Sequence, residues 1–442
     1  MTEACLARAE SADAGGVFIT LTVERARREA AASAGRYRAG RPLGPLDGVP
    51  VAWKDVFDVA GTRTTAGSLT RSGVEAARHD APCVANLSAA GMVCIGKTNL
   101  SEFAYSGVGI NAVYGTPRNP RAAGRVPGGS SSGSAIAVAL GAAACGIGTD
   151  TSGSVRIPAA FNGLVGYRPS MGRFSTTGVF PLSPTLDTVG PLACRVSDVV
   201  ALDRALRGLS QAGSDFNPSA RHERTLTVPQ GELVDGAEPP VQYRFTEVLA
   251  ELEAAGWDIQ HRDVRSLDTA QTVMDELGTI VAAEAARIHR DLLSSPAPEG
   301  LDRRVWRRLE QGAAMPPAAL ARLRAEQLRL MRAVDRELDG ALIFPTVRIQ
   351  APRLAELERD DELFATANQA ILRSTMVTAF LGMPGIALPT GLDRDRLPAS
   401  VLLSLPAGQD ERLLALALEL ELDVRRPLES AVHGNHVLGT RR

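Results

Sequence analysis

Two short stretches concentrate the residues able to do covalent chemistry: "PGGSSSGSA" (127–135) and "GTDTSGSVRIP" (148–158). Glycine-rich backbone lets several N–H groups converge on one point, as an oxyanion hole requires. The serines between the glycines supply hydroxyls, which are weak nucleophiles until an adjacent base takes the proton. That base is a histidine or a lysine. Gly129-Ser130-Ser131-Ser132-Gly133 matches the G-x-S-x-G elbow, which calls for a strand before it and a catalytic histidine late in the chain. "NPRAAGRVPGG" reads as a loop instead, and His433 and His436 fall in a tail from Pro427 that is expected to be poorly ordered. The elbow context is missing.

The lysine alternative has few candidates. Of 48 basic residues only Lys54 and Lys97 are lysine, and the rest are arginine. Arginine stays protonated in proteins, whereas a buried lysine amine can be neutral. The two lysines therefore mark positions that need a compact amine. Lys97 closes "GMVCIGKT" (91–98), which matches the G-x-x-x-x-G-K-T phosphate loop letter by letter. In a phosphate loop the variable positions form a nest of N–H groups after a strand. Here they are Met92, Val93, Cys94 and Ile95, an apolar run that reads as a buried strand following a helix. The match is accidental, and Lys97 is expected to hold a Lys-Thr-Asn turn near the site. For a lysine able to be neutral, the chain offers Lys54.

The elements that must position these groups read as follows. Residues 20–39 are an amphipathic helix ending before "GRPLGPLDGVP", and "VPVAWKDV" is a short strand with Lys54 at its end. Residues 81–91 form a helix stopped by Gly91, and "MVCIG" is a buried strand. "AIAVALGAAA" suits a helix packed tightly through small residues. Residues 241–339 are mostly helical and arginine-rich, a solvated layer. "ALIFPT", "GIALPTG" and "ASVLLSLP" are strands, and "DERLLALALELEL" is a closing helix. Alternating strands and helices predict an α/β fold, a sheet covered by helices on both faces.

Composition bounds the function. The 442 residues are 45% hydrophobic and 22% charged, with a formal net charge of −2. That balance gives no basic field for nucleic acid or an acidic membrane. The N-terminus has no basic region followed by an apolar one, and no apolar run reaches the ~20 residues a bilayer requires. A cytoplasmic protein is expected. Five scattered cysteines without a C-x-x-C pair read as small buried hydrophobes, and six histidines without an H-x-x-x-H pair make no zinc site.

Several segments in order, "GVPVAWKDVFDVAG", "GKTNLSEFA", "PGGSSSGSA", "GTDTSGSVRIPAAFNGLVGYRPS", "DTVGPLA" and "LGMPGIALPTG", resemble the amidase signature family. The likeness covers about 40–205 and about 340–422. It implies the amidase-signature fold, with a central mixed β-sheet covered by helices on both faces, and a single amidase domain over 1–442, with a core of about 40–210 and 340–425, a variable helical region of about 210–339 and a flexible tail at 427–442. It also implies a Ser–cis-Ser–Lys triad: Ser154 as nucleophile, Ser130 as relay after a cis peptide bond, and Lys54 as base. The implied oxyanion hole is the backbone of Thr151, Ser152, Gly153 and Ser154. Where the family commonly shows two glycines before the nucleophile, this chain has Ser152-Gly153, a change that keeps the N–H donors.

Around that set, Gly129, Tyr105, Phe161 and Arg156 are candidate substrate contacts. Arg156 also reads as half of a structural ion pair, and Tyr105, Tyr114 and Phe161 as core. Asp150 reads as a hydrogen-bond anchor for the serine turns, and Ser131 and Ser132 as donors at a helix N-terminus. The implied activity is hydrolysis of a C–N amide bond through an acyl-enzyme, without metal or organic cofactor. The expected partner is a small-molecule amide, with a homodimer as an open option. Two other readings are retained: the amidase-like component of a tRNA-dependent amidotransferase, and a catalytically silent scaffold of the family. Residues 241–339 lack a tyrosine-rich segment associated with that component, and the intact Lys54, Ser130 and Ser154 argue against a silent member.

Overall fold

Val51, Ala52 and Trp53 are consecutive and all buried, which a strand permits only when both of its faces are covered. A computed structural model describes residues 1–209 and 224–425 and shows such a sheet. Its strands are β1 (Phe18–Leu21), β2 (Pro50–Lys54), β3 (Val93–Thr98), β4 (Cys145–Asp150), β5 (Val165–Arg168), β6 (Thr188–Ala193), β7 (Thr225–Pro229), β8 (Asp258–Arg262), β9 (Ala341–Pro345), β10 (Gly385–Leu392) and β11 (Pro398–Ser404). They form one mixed sheet in the order β1-β3-β2-β4-β6-β5-β10-β11-β9-β7-β8.

Alternate side chains serve opposite faces. Val51 and Trp53 of β2 and Cys94 of β3 join the main core with the helices Pro82–Ala89 and Val196–Leu206. Ala52, Val93 and Ile95 point the other way, against Cys5, Leu6, Ile136 and Ala137 from the helices Thr2–Ala9 and Ser132–Ala139. The expected architecture, a mixed sheet between helical layers, is the one observed.

β3, β2 and β4 lie side by side and run parallel. Their C-terminal ends therefore emerge on one edge, carrying Thr98, Lys54 and Asp150. In open α/β sheets that edge is where ligand sites are built.

Several expectations need correction. The first predicted helix starts at Val23, because Phe18–Leu21 pairs antiparallel with β3; β-branched Ile19 and Thr20 suit that edge. The arginine-rich stretch is not purely helical. β8, "DIQHR", lies within it as a half-exposed edge strand whose polar residues hide the strand pattern. Cys194 is exposed, unlike the other four cysteines. Lys97 sits within β3 and not in the turn after it. The tail at 427–442, with His433 and His436, lies outside the described residues.

Candidate active site

Lys54 ends β2 with no exposure to solvent. Its Nζ lies 2.7 Å from Ser130 Oγ, 2.9 Å from Thr149 Oγ1 and 3.5 Å from the Thr149 carbonyl. No carboxylate is within ion-pair distance of it among the described residues. Burial pulls the amine down to about 7, against the weaker pull of the Asp187 and Asp150 carboxylates. A neutral amine has two N–H groups and one lone pair. Thr149 offers acceptors for the N–H groups, which leaves the lone pair for the Ser130 hydroxyl.

Ser130 follows a cis Gly129–Ser130 peptide bond. The Gly129 N–H donates to the Gly107 carbonyl at 2.8 Å, and the Ser101 N–H donates to the Ser130 carbonyl at 3.2 Å. There is no room for a side chain at Gly129, since a Cβ would meet Gly109 N at 2.6 Å and Ser101 Oγ at 2.7 Å. Gly129 is thus a packing requirement of the turn. Ser131 and Ser132 open the helix Ser132–Ala139, both fully buried. The Ser131 N–H donates to the Ser154 carbonyl at 3.1 Å and ties the two serine turns together.

Asp150 organises the second turn. Its carboxylate accepts from the N–H groups of Gly153 (2.6 Å), Val155 (3.2 Å) and Arg156 (3.3 Å). Arg156 also donates from its side chain to both carboxylate oxygens, at 2.9 and 3.0 Å, and Arg168 Nε lies 3.6 Å away. Burial alone would raise the Asp150 carboxyl, but Arg156 and Arg168 hold it below its ordinary value. Burial lowers Arg168 to about 10.

Two site expectations change here. Arg156 is fully buried against Asp150, Thr378 and the Thr375 carbonyl, so it is the structural ion-pair member and not a substrate contact. The Gly153 N–H is committed to Asp150, so it is not free for an oxyanion. The N–H groups of Thr151, Ser152 and Ser154 have no acceptor among the described residues. Gly153 has φ +134°, and a Cβ there would run into Thr375.

Tyr105, Thr151, Ser152, Ser154, Arg308 and Leu372 line one pocket. Phe161 is elsewhere: it packs beneath Gly128, in a cluster with Val108, Val126 and Ile371. Tyr114 is half-buried and outside the pocket lining.

Three positioning groups escaped the sequence reading. Thr149 holds the Lys54 amine. Asp187 accepts from Thr151 Oγ1 at 2.6 Å, and burial raises its carboxyl. Thr375 donates to the Ser152 carbonyl at 2.6 Å from the helix Asp361–Phe380. Thr149 was within reach, since it precedes the Asp150 anchor. Asp187 opens the quoted segment "DTVGPLA", which marked its place but not its contact with Thr151, and Thr375 comes from a distant helix with no local signal. Lys97 pairs with Asp55 at 2.6 Å and donates to the Arg63 carbonyl at 2.9 Å, which fixes the chain just after Lys54. β3 is paired on both sides, so the "GMVCIGKT" backbone is no phosphate nest.

The Amidase family model matches residues 1–414. The 2-amino-5-chloromuconic acid deaminase of Comamonas testosteroni is 34% identical over 406 residues, covering 90% of this chain and 86% of the relative. In Symbiobacterium thermophilum, the glutamyl-tRNA(Gln) amidotransferase has an A-type subunit that is 33% identical to this chain, covering 94% of it and 91% of the relative. A solved amidase structure superposes with a TM-score of 0.84 at 32% identity, covering 96% of this chain and 95% of the other. The 6-aminohexanoate cyclic dimer hydrolase complexed with substrate gives 0.82 at 26% identity, covering 96% and 94%.

Proposed function

Because this chain belongs to the amidase signature family, whose enzymes among its neighbours hydrolyse C–N bonds, we propose that it cleaves a carboxamide through an acyl-enzyme on Ser154. The observation that carries the reading is the buried Lys54 amine, unpaired by any carboxylate among the described residues and hydrogen-bonded to Ser130 at 2.7 Å. The tie between the Ser130 and Ser154 turns supports it further.

In this mechanism Ser154 Oγ attacks the amide carbon as its proton passes to Ser130 Oγ. The Ser130 proton passes to Lys54 Nζ. The N–H groups of Thr151, Ser152 and Ser154 face the developing oxyanion. Lys54 then returns a proton through Ser130 to the departing nitrogen, the C–N bond breaks, and ammonia or an amine leaves. Water attacks the Ser154 ester by the same relay and releases the acid. Each half-reaction restores the protons it borrowed. We read the chain as one amidase domain, which the continuous sheet and the match over 1–414 support.

A second reading is the amidase-like component of a tRNA-dependent amidotransferase, which the similarity to the Symbiobacterium thermophilum protein favours. Ammonia release by the purified chain alone separates the two. The hydrolase reading expects turnover of small amides without a partner and its loss in Ser154→Ala. Activity that emerges only with added partner proteins supports the amidotransferase reading. Turnover retained in Ser154→Ala removes Ser154 as nucleophile.

A further inference from the structure

The helix Arg303–Ala313 carries four arginines, and three of them meet carboxylates. Arg303 pairs with Asp361 at 2.5 Å, Arg304 with Asp302 at 2.5 Å, and Arg307 with Glu362 at 2.6 Å. Arg308 has no carboxylate within ion-pair distance among the described residues. Its guanidinium lies over the Tyr105 ring, 4.0 Å from the centroid, and donates to the Tyr105 carbonyl. Arg308 also lines the pocket of Ser154, and it lines a wider adjoining pocket whose walls include Thr279, Leu372 and Met376. It therefore stands where the two spaces meet.

A half-buried guanidinium with no carboxylate beside it is costly to hold, and the other arginines of the same helix are neutralised. Burial lowers its pKa, opposed only by Tyr105. With Nη1 donating to the Tyr105 carbonyl, Nε and Nη2 have no acceptor among the described residues, and that edge of the guanidinium matches a carboxylate in a two-point hydrogen bond. Arg156, the other arginine near the nucleophile, is consumed by Asp150 and is closed to a ligand.

We propose that Arg308 binds a free carboxylate of the substrate, so that the preferred substrates are amides carrying a carboxylate elsewhere in the molecule. This rests on the reading of Ser154 as the amide-cleaving nucleophile. The carboxylate is on the acyl side in a dicarboxylic acid monoamide and on the amine side in an N-acyl amino acid. Both chemistries present the same group to Arg308, and turnover tells them apart.

The test compares kcat/KM for succinamate, glutaramate, N-acetylglycine and uncharged butyramide, in the native protein, Arg308→Gln and Arg308→Lys. At least one acidic amide is expected to exceed butyramide by tenfold or more in the native protein. Arg308→Gln is expected to lower that value by roughly 100-fold, mostly through KM, as loss of a charged hydrogen-bond partner does. The fall for butyramide should be far smaller, and Arg308→Lys should recover part of the acidic preference. An equal loss on acidic and neutral amides in Arg308→Gln overturns the proposal, as does a native protein that turns over butyramide and the acids alike. A native protein that cleaves none of the four overturns the amidase reading beneath it.

Discussion

At the scale of single residues, the proposed mechanism turns on a lysine that is neutral near physiological pH. Burial takes Lys54 to about 7, from an ordinary value of 10.5. As the base must be unprotonated, kcat/KM should rise with pH and level off above an apparent pKa of about 7. Lys54→Arg should lose roughly 10²–10⁴-fold in kcat and flatten that profile, since a guanidinium cannot accept the proton. The stability linkage has a definite sign. Between pH about 7 and 10.5 the unfolded chain holds a proton at Lys54 that the native chain lacks, so the Lys54 contribution improves as pH rises through that window. In urea titrations, any stability gained by Lys54→Met over the native protein should be largest below pH 7 and shrink toward pH 10.5. Lys97 belongs to a different class, because Asp55 neutralises it. Lys97→Met should cost about 3–5 kcal/mol by leaving a buried carboxylate unpaired. The scarcity of lysine made both residues conspicuous in the sequence, and only the carboxylate beside one of them separates base from prop.

At the scale of elements, the strands that deliver Lys54 and Asp150 are parallel neighbours, and the helix Asp361–Phe380 closes over what they deliver. Thr375 and Thr378 of that helix hold Ser152 and Arg156. Arg156→Met should therefore destabilise the protein by about 3–5 kcal/mol in urea melts, by removing the two-point partner of the buried Asp150 carboxylate and leaving it only the more distant Arg168. It should also lower kcat, since Asp150 shapes the nucleophile turn through the Gly153 N–H. Unchanged melting with a selective rise in KM would instead restore Arg156 as a substrate contact. The parallel strands were legible where apolar runs met turn residues, as in "VPVAWKDV". β8 was not, because an exposed edge strand with polar residues carries no alternation, and pairing with β7 decides its state.

At the scale of the whole molecule, Lys54, Ser130 and Ser154 come from three separated segments that the sheet gathers to one edge. The serines and the lysine were legible as residue types with a shared chemistry, and their grouping through the family resemblance. The far wall of the pocket was not, because Arg308 and Leu372 come from helices far along the chain, and the arginine-rich pattern around Arg308 reads equally well as solvated surface. None of the helices among the described residues is long and apolar enough to cross a membrane. The assembled relay is tested most directly by the rate of fluorophosphonate labelling as a function of pH, with the modified residue located by peptide mass spectrometry. The account predicts a label on Ser154 alone, forming at a rate that rises through an apparent pKa of about 7 and is largely abolished in Lys54→Met. A label on Ser131, or Ser154 labelled at the native rate in Lys54→Met, would contradict it.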